Sequence, residues 1–222
     1  METLKKRTQS MLKLVSINIA RPQNISFEEG KKKYRTGIFK KPVSKEIFLG
    51  ENGFQGDGVG DTRFHGGKDL AVCGYFINHY KFWESELNRE LRPGAFGENL
   101  SMTGIDETKI NIGDQYSLGD AEIEVSQPRQ PCHKLNKVFN LQAMACKVQT
   151  TGFTGCYFRV KKIGMVQPDS EIRKIKDGKE NICIDNINVL MFKEKKNMDL
   201  LRKGVELEAL SIEWREKFQK RL

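Results

Sequence analysis

The stretch Thr108–Gln127, "TKINIGDQYSLGDAEIEVSQ", decides the fold. Ile110, Ile112, Tyr116, Leu118, Ala121, Ile123 and Val125 alternate with polar residues, the period of two that belongs to strands with one buried face. Gly113-Asp114 and Gly119-Asp120 interrupt that alternation with turn residues, so the stretch reads as a β-meander. It runs into "SQPRQPCHKL" (126–135), where Pro128 and Pro131 each fix φ and remove a backbone donor. This segment is therefore expected neither in a helix nor in a central strand. Cys132, between the two prolines and a basic run, is then presented rather than packed.

The limits set by composition agree with a single main core. The chain has 222 residues, enough for one main domain with a small appendage. Lys plus Arg outnumber Asp plus Glu by 38 to 29, a net charge of +9, which favours an anionic partner: nucleic acid, a membrane surface or a phosphorylated small molecule. The five cysteines stand at 73, 132, 146, 156 and 183, an odd number without a C-x-x-C pair, which argues against a disulfide framework and a zinc site. The start, "METLKKRTQSMLKLVSINIA", has only a short apolar run broken by Lys13 and no small-residue cleavage site. No apolar run reaches the ~18 residues of a membrane span, so a cytoplasmic protein is expected.

Other elements follow from periodicity. "LKLVSINI" reads as a strand, as does "LAVCGYF". "FINHYKFWESELNRE" (76–90) has apolar positions Phe76, Ile77, Tyr80, Phe82, Trp83 and Leu87 at helical spacing and stops before Pro93-Gly94. The last forty residues change character. "NINVLMFKEKK", "NMDLLRKG" and "LSIEWREKFQKRL" read as three short helices, with Gly204 as a C-cap and Ser211 as an N-cap. The expected division is a main domain over 1–178 and a three-helix unit over 179–222. A basic three-helix unit can read DNA, but a charged helical face is more often simply solvated, so nucleic acid is disfavoured.

Three loops could carry chemistry. In "RFHGGKDLAV" (63–72) paired glycines permit positive φ, so that successive N–H groups form an anion nest with Arg63, His65 or Lys68 beside it; a tight turn would give the same string. In "RPGAFGENLSMTG" (92–104) Gly94 and Gly97 shape the backbone and Glu98-Asn99 could hydrogen-bond a ligand ring; a plain hairpin explains it equally well. Around Cys132, positive charge on Arg129, His133 and Lys134 favours a thiolate, a nucleophile or soft metal ligand, against the alternative of a small buried hydrophobe, which suits the other four cysteines. A hydrolase built on Cys132 and His133 is the poorer reading, since adjacent residues of a strand point to opposite faces.

Taken in order, "TGIFKKPV" (36–43), "GDGVGD" (56–61), "HGGKDLAV" (65–72), "PGAFGENL" (93–100), "IGD…LG" (112–119), "SQPRQPCHKL" (126–135) and "TGCYFRV" (154–160) resemble the MOSC-domain proteins, named for the C-terminal domain of molybdenum cofactor sulfurase, and most closely the bacterial stand-alone subgroup with a small three-helix domain behind the barrel. The resemblance implies a mainly β fold with α: a β-barrel-like domain with peripheral helices, then three helices. It implies a molybdenum-pyranopterin cofactor whose metal is bound by Cys132, with Thr36, Gly37, Arg63, His65, Gly66, Gly67, Asn99, Arg129 and Lys134 as its binding residues. The subgroup is associated with resistance to N-hydroxylated base analogues such as hydroxylaminopurine, so a two-electron reduction of N–OH to N–H with release of water is expected. His65 and Asp69 are the expected proton carriers, although Asp69 could equally cap a turn or pair with Lys68. Three positions depart from the family's habit: Leu70 where a basic residue is frequent, and His133 and Cys156 where tryptophan is. With no dinucleotide fingerprint, P-loop or four-cysteine cluster motif, the electrons are expected from a separate reductase or a flavodoxin-like or ferredoxin-like donor, which the basic helices could dock. A homodimer is left open. The rival readings are a sulfur or cofactor carrier with a persulfide on Cys132, and a nucleic-acid binder whose affinity falls steeply with salt.

Overall fold

A computed structural model describes residues 11–27, 33–60 and 66–222. Its strands are β1 (Lys13–Ile19), β2 (Gln23–Ile25), β3 (Tyr34–Thr36), β4 (Lys41–Pro42), β5 (Ile47–Gly50), β6 (Gly53–Phe54), β7 (Val72–Phe76), β8 (Leu100–Thr103), β9 (Gln115–Leu118), β10 (Ala121–Pro128), β11 (Cys156–Lys162), β12 (Gly164–Val166) and β13 (Ile172–Lys176). The helices are α1 (Tyr80–Leu87), α2 (Lys134–Val138), α3 (Met144–Thr151), α4 (Ile184–Asn188), α5 (Met198–Glu206) and α6 (Ile212–Gln219).

The meander forms where the alternation places it. Ala121–Glu124 of β10 pair with Leu118–Gln115 of β9, and the apolar set Tyr116, Leu118, Ile123 and Val125 is buried. The main sheet runs β13-β9-β10-β11-β7-β8-β1-β4 and curls into a half-barrel whose terminal strands are not paired with each other. All pairings in it are antiparallel except β7 with β8, where α1 supplies the crossover that parallel neighbours require. β7 is buried at every position, as a strand covered on both faces must be. A three-stranded sheet, β12-β5-β6, and the β2–β3 hairpin complete the β part.

Several local expectations are corrected. β10 continues through Pro128, opposite Cys156, in the interior of the sheet. This is tolerated because β9 stops pairing at Glu124, so Pro128 lies on a stretch with one partner strand and ends the ladder itself. The helix read over 76–90 is shorter: Phe76 closes β7, Ile77–His79 form a 3-10 turn, and α1 ends at Asn88 in the left-handed conformation (φ 48). Gly204 is no C-cap; it lies inside α5, where a Cβ would come within 2.8 Å of the Phe218 ring. Ser211 does stand at the start of α6, but its backbone N–H donates to Ser126 O at 3.0 Å while its hydroxyl makes no capping bond. After α4 the chain unwinds into a wider π-helical stretch, Val189–Lys193.

The core has two parts. One joins the sheet's inner face to the C-terminal helices, so that Ile123 and Val125 share a cluster with Leu190, Leu201, Trp214 and Phe218. The other packs α1, α2 and α3 around Trp83 and Phe96; Tyr75 stacks on Phe96 at 4.2 Å and accepts the Trp83 indole N–H at 2.6 Å.

Candidate functional site

The end of β10 and the turn after it carry Arg129, Gln130 and Cys132 to the wall of a cleft. The Cys132 carbonyl accepts from Leu135 N–H at 3.0 Å, which fastens the cysteine to the start of α2 with its side chain only partly covered. Cys132 and His133 therefore do not lie on a strand, and the geometry that sets adjacent strand residues on opposite faces does not apply to them. The cleft has two abutting compartments. The smaller, about 80 Å³, is lined by Thr36, Gly37, Arg129, Cys132 and Lys134 together with Lys40, Gly97 and Tyr157. The larger, about 480 Å³, is lined by Gly66, Gly67, Cys73 and Asn99 and shares Lys40, Gly58, Val59, Gly97 and Tyr157 with the smaller. Together they reach the size of ordinary cofactor pockets, roughly 300–1,000 Å³. Arg63 and His65 lie outside the described residues.

The cleft is held by two carboxylates: the fully buried Glu98, expected to hydrogen-bond a ligand ring, and the largely covered Asp57, for which no role was read from the sequence. Glu98 accepts from Gly94 N–H (2.8 Å), Phe96 N–H (3.0 Å), Tyr80 OH (2.6 Å) and Ser101 OH (2.7 Å), and so folds the loop 92–99 around itself. That loop in turn presents the Phe96 carbonyl, which accepts from Arg129 Nη2 at 2.5 Å. Burial alone would push Arg129 down, but Cys73, Tyr157, Cys132 and Glu98 around it hold its value above the usual one. Asp57, the second carboxylate, ion-pairs with Lys40 and accepts from Ala20 N–H (2.8 Å) and Asn99 Nδ2 (2.8 Å). Both strings containing this pair were visible in the sequence; that they meet was not, because the partners are seventeen positions apart on different loops.

Two expected site residues are engaged elsewhere. The Asn99 amide donates to Asn18 O (3.1 Å) and Asp57 and accepts from Cys73 N–H (3.1 Å), so it braces three segments behind the cavity it lines. Asp69 lines neither compartment. Its carboxylate accepts from Arg159 Nε at 2.8 Å, and Arg159 also bonds Glu124 at 2.7 Å; Lys68, the partner considered from sequence, pairs with Glu51 at 3.0 Å instead. Gly67 does adopt positive φ (106°), and a Cβ there would meet nothing within 4 Å, since the position faces the open cavity. Burial raises the Cys73 thiol, in the wall of the larger compartment, and the Tyr157 hydroxyl, at the junction of the two, so both are neutral hydrogen-bonding groups. Lys134 lines the smaller compartment, and its ammonium donates to Arg35 O at 3.3 Å.

A curled mixed half-barrel whose loops enclose a glycine-lined, cationic cleft with one cysteine in its wall, followed by three helices, matches two family descriptions. Residues 61–173 match "MOSC domain", and residues 184–222 match "YiiM-like, 3-alpha helix domain". The chain belongs to the MOSC-domain family. It is 40% identical over 213 residues to "Uncharacterized protein YflK" of Bacillus subtilis (strain 168), covering 96% of each chain. It is 31% identical over 176 residues to a protein of Gibberella moniliformis named "Reductase", covering 78% of this chain and 31% of that protein. Among solved structures, that of YiiM from Geobacillus stearothermophilus superposes with a TM-score of 0.82 at 33% identity, covering 96% of this chain and 100% of that one.

Proposed function

We infer that this MOSC protein is a molybdenum-cofactor-dependent reductase that converts N-hydroxylated compounds, R–NH–OH, to R–NH₂ and water. The observation that carries the reading is the position of Cys132: a partly exposed sulfur in the wall of a cationic, backbone-lined cleft. The donor set fits a metal that arrives already chelated. Among the described residues no group of three or more His, Cys, Asp or Glu could hold a bare ion, so Cys132 offers one soft ligand and a pterin dithiolene would bring the others. When bound, such a cofactor supplies two-electron chemistry at a metal with a position open to substrate.

The chain's own residues bind and orient. Gly66 and Gly67 line the larger compartment with backbone alone, which lets an anionic group approach their amides. Arg129 and Lys134, both held by backbone carbonyls rather than by carboxylates, keep the cleft positive, while Lys40 is paired with Asp57. Tyr157 borders both compartments as a neutral donor. The reduction takes up two electrons and two protons, and the electrons come from a separate protein donor. His65 remains the proposed proton carrier; Asp69 does not, since Arg159 holds its carboxylate away from the cleft. The reductase name of the Gibberella protein supports the same class of chemistry.

The test is protein made in a cofactor-competent host, assayed for molybdenum content and for hydroxylaminopurine reduction with an artificial electron donor. Cys132→Ser should lose both bound metal and turnover while keeping its unfolding temperature. Undiminished turnover in that variant sinks the reading, and stoichiometric molybdenum without any turnover in the wild type assigns the site to a carrier instead.

A further inference from the structure

On the far side of the Ile38–Lys40 segment lies a third cavity, an open groove of about 380 Å³ that shares Ile38 and Lys40 with the Cys132 compartment. Its cations are Lys41, Arg89 and Arg92, against one acidic residue, Glu90. Lys40, the fourth cation in its wall, is already held by Asp57. Arg89 lies 4.9 Å above the Phe139 ring and donates to Val138 O at 3.5 Å, so its guanidinium is fixed in place without being neutralised. Lys41 and Arg92 have no ion-pair partner among the described residues.

A line of rings connects this groove to the cysteine. His133, next to Cys132, lies 6.4 Å from Tyr34; Tyr34 lies 6.0 Å from Phe27; Phe27 lies 6.0 Å from Phe39, which lines the groove and is 45% exposed. Phe39, the exposed end of a row whose Phe27 and Tyr34 are half-buried, is suited to planar heterocycles, which stack on any π face, and a groove with three cations to one carboxylate is suited to a phosphate. The Phe39 ring leaves apolar surface in water, and the groove's three cations repel one another.

We propose that the physiological substrate is a nucleotide, an N-hydroxylated heterocycle carried on a sugar phosphate, whose base lies along the Phe27–Tyr34–Phe39 row beside Cys132 and whose phosphate is held by Lys41, Arg89 and Arg92. This deepens the reductase reading and rests on it for the N-hydroxyl group alone; the recognition of a base bearing a phosphate stands on the groove and the rings.

The first arm of the test needs no turnover. Equilibrium dialysis of the full chain with AMP, adenosine and adenine should give AMP an affinity about tenfold above adenosine, the scale of one or two charge-assisted bonds, and the advantage should shrink as salt is raised. In Arg89→Ala/Arg92→Ala the ratio should fall to about one, with circular dichroism unchanged because both side chains are exposed. Phe39→Ala should weaken all three ligands together. The second arm compares KM for N⁶-hydroxyadenosine 5′-monophosphate with that for the free base, and the double variant should lose the difference. Equal binding of AMP and adenosine by the wild type overturns the proposal even if N-hydroxy reduction is found. Loss of molybdenum from the double variant with the AMP preference intact also overturns it, and gives the groove to a nucleotide appended to the cofactor. AMP preference without any N-hydroxy reduction supports nucleotide recognition and leaves the reductase reading as the one that fails.

Discussion

At the scale of single residues, the cysteines divide by surroundings rather than by spacing. Cys73, Cys156 and Cys183 are buried, and burial raises all three thiols. Cys132 lines the cleft and Cys146 is exposed. Since the thiolate is the reactive species, iodoacetamide at pH 8 should label Cys146 and Cys132 and spare the other three, as read by peptide mass spectrometry. Rapid labelling of Cys156 in folded protein would contradict its position opposite Pro128 in the sheet. The same burial sets a pH dependence. A thiol whose folded value exceeds its unfolded one keeps its proton longer in the native state, so its contribution to stability is whole below the ordinary value of 9.0 and is lost as pH rises above it. Denaturant midpoints should therefore fall between pH 9 and 10, with a slope of up to about 1.4 kcal/mol per pH unit for each such thiol. Removing the Glu98 carboxylate takes the short acceptor from four donors, of which Tyr80 OH and Gly94 N–H keep only 3.3 Å contacts to Arg92 O and Ser101 Oγ, so Glu98→Ala should cost about 3–5 kcal/mol by denaturant titration, an effect far larger than at an exposed residue such as Glu90.

At the scale of elements, the packing of α5 on α6 turns on one glycine. Alanine is better than glycine in a helix interior by about 1 kcal/mol, so propensity alone makes Gly204→Ala stabilising. The Phe218 ring, 2.8 Å from the added Cβ and itself fully buried, cannot give way, and overpacking of this kind costs about 1–3 kcal/mol. The net expectation is a loss of stability, checked by the thermal midpoint; a rise would mean that α5 and α6 slide apart easily. The curled sheet shows the same dependence on a neighbour. β7 reads as an ordinary buried strand, but its parallel pairing with β8 requires the α1 crossover, which passes over Tyr75 and Phe96 and so builds the second core cluster beneath the loop that holds Arg129.

At the scale of the molecule, the helices after residue 183 and the sheet bury one continuous apolar cluster. Trp214 reports from that helical end and Trp83 from the α1 side, so tryptophan emission and circular dichroism should trace one transition with the same midpoint. Two separated transitions would mean that the helices form an independent unit. Deleting 184–222 exposes the inner face around Ile123 and Val125, and the shortened chain should lose cooperative unfolding and aggregate. None of the described helices is long and apolar enough to cross a membrane.

The sequence by itself determined the elements whose code is local. Period-two alternation marked the strands of the meander, helical spacing marked the core of α1 and the C-terminal helices, and the motifs in order marked the family and the cleft loops that hold Thr36, Gly37, Gly66, Gly67, Arg129, Cys132 and Lys134. Only the tertiary structure decided which charges meet. Lys40 found Asp57, Asp69 found Arg159 instead of Lys68, and Glu98 became the hub of its loop rather than a ligand contact. It also decided that Gly204 is a packing residue, and that Phe39 joins a ring row to a cationic groove. The physical reason is range. Side-chain periodicity is set by the geometry of the residue's own backbone, whereas an ion pair, a buried carboxylate or a shared cavity wall depends on where chain segments distant in sequence come to rest, which the curling of the sheet and the packing of its loops specify.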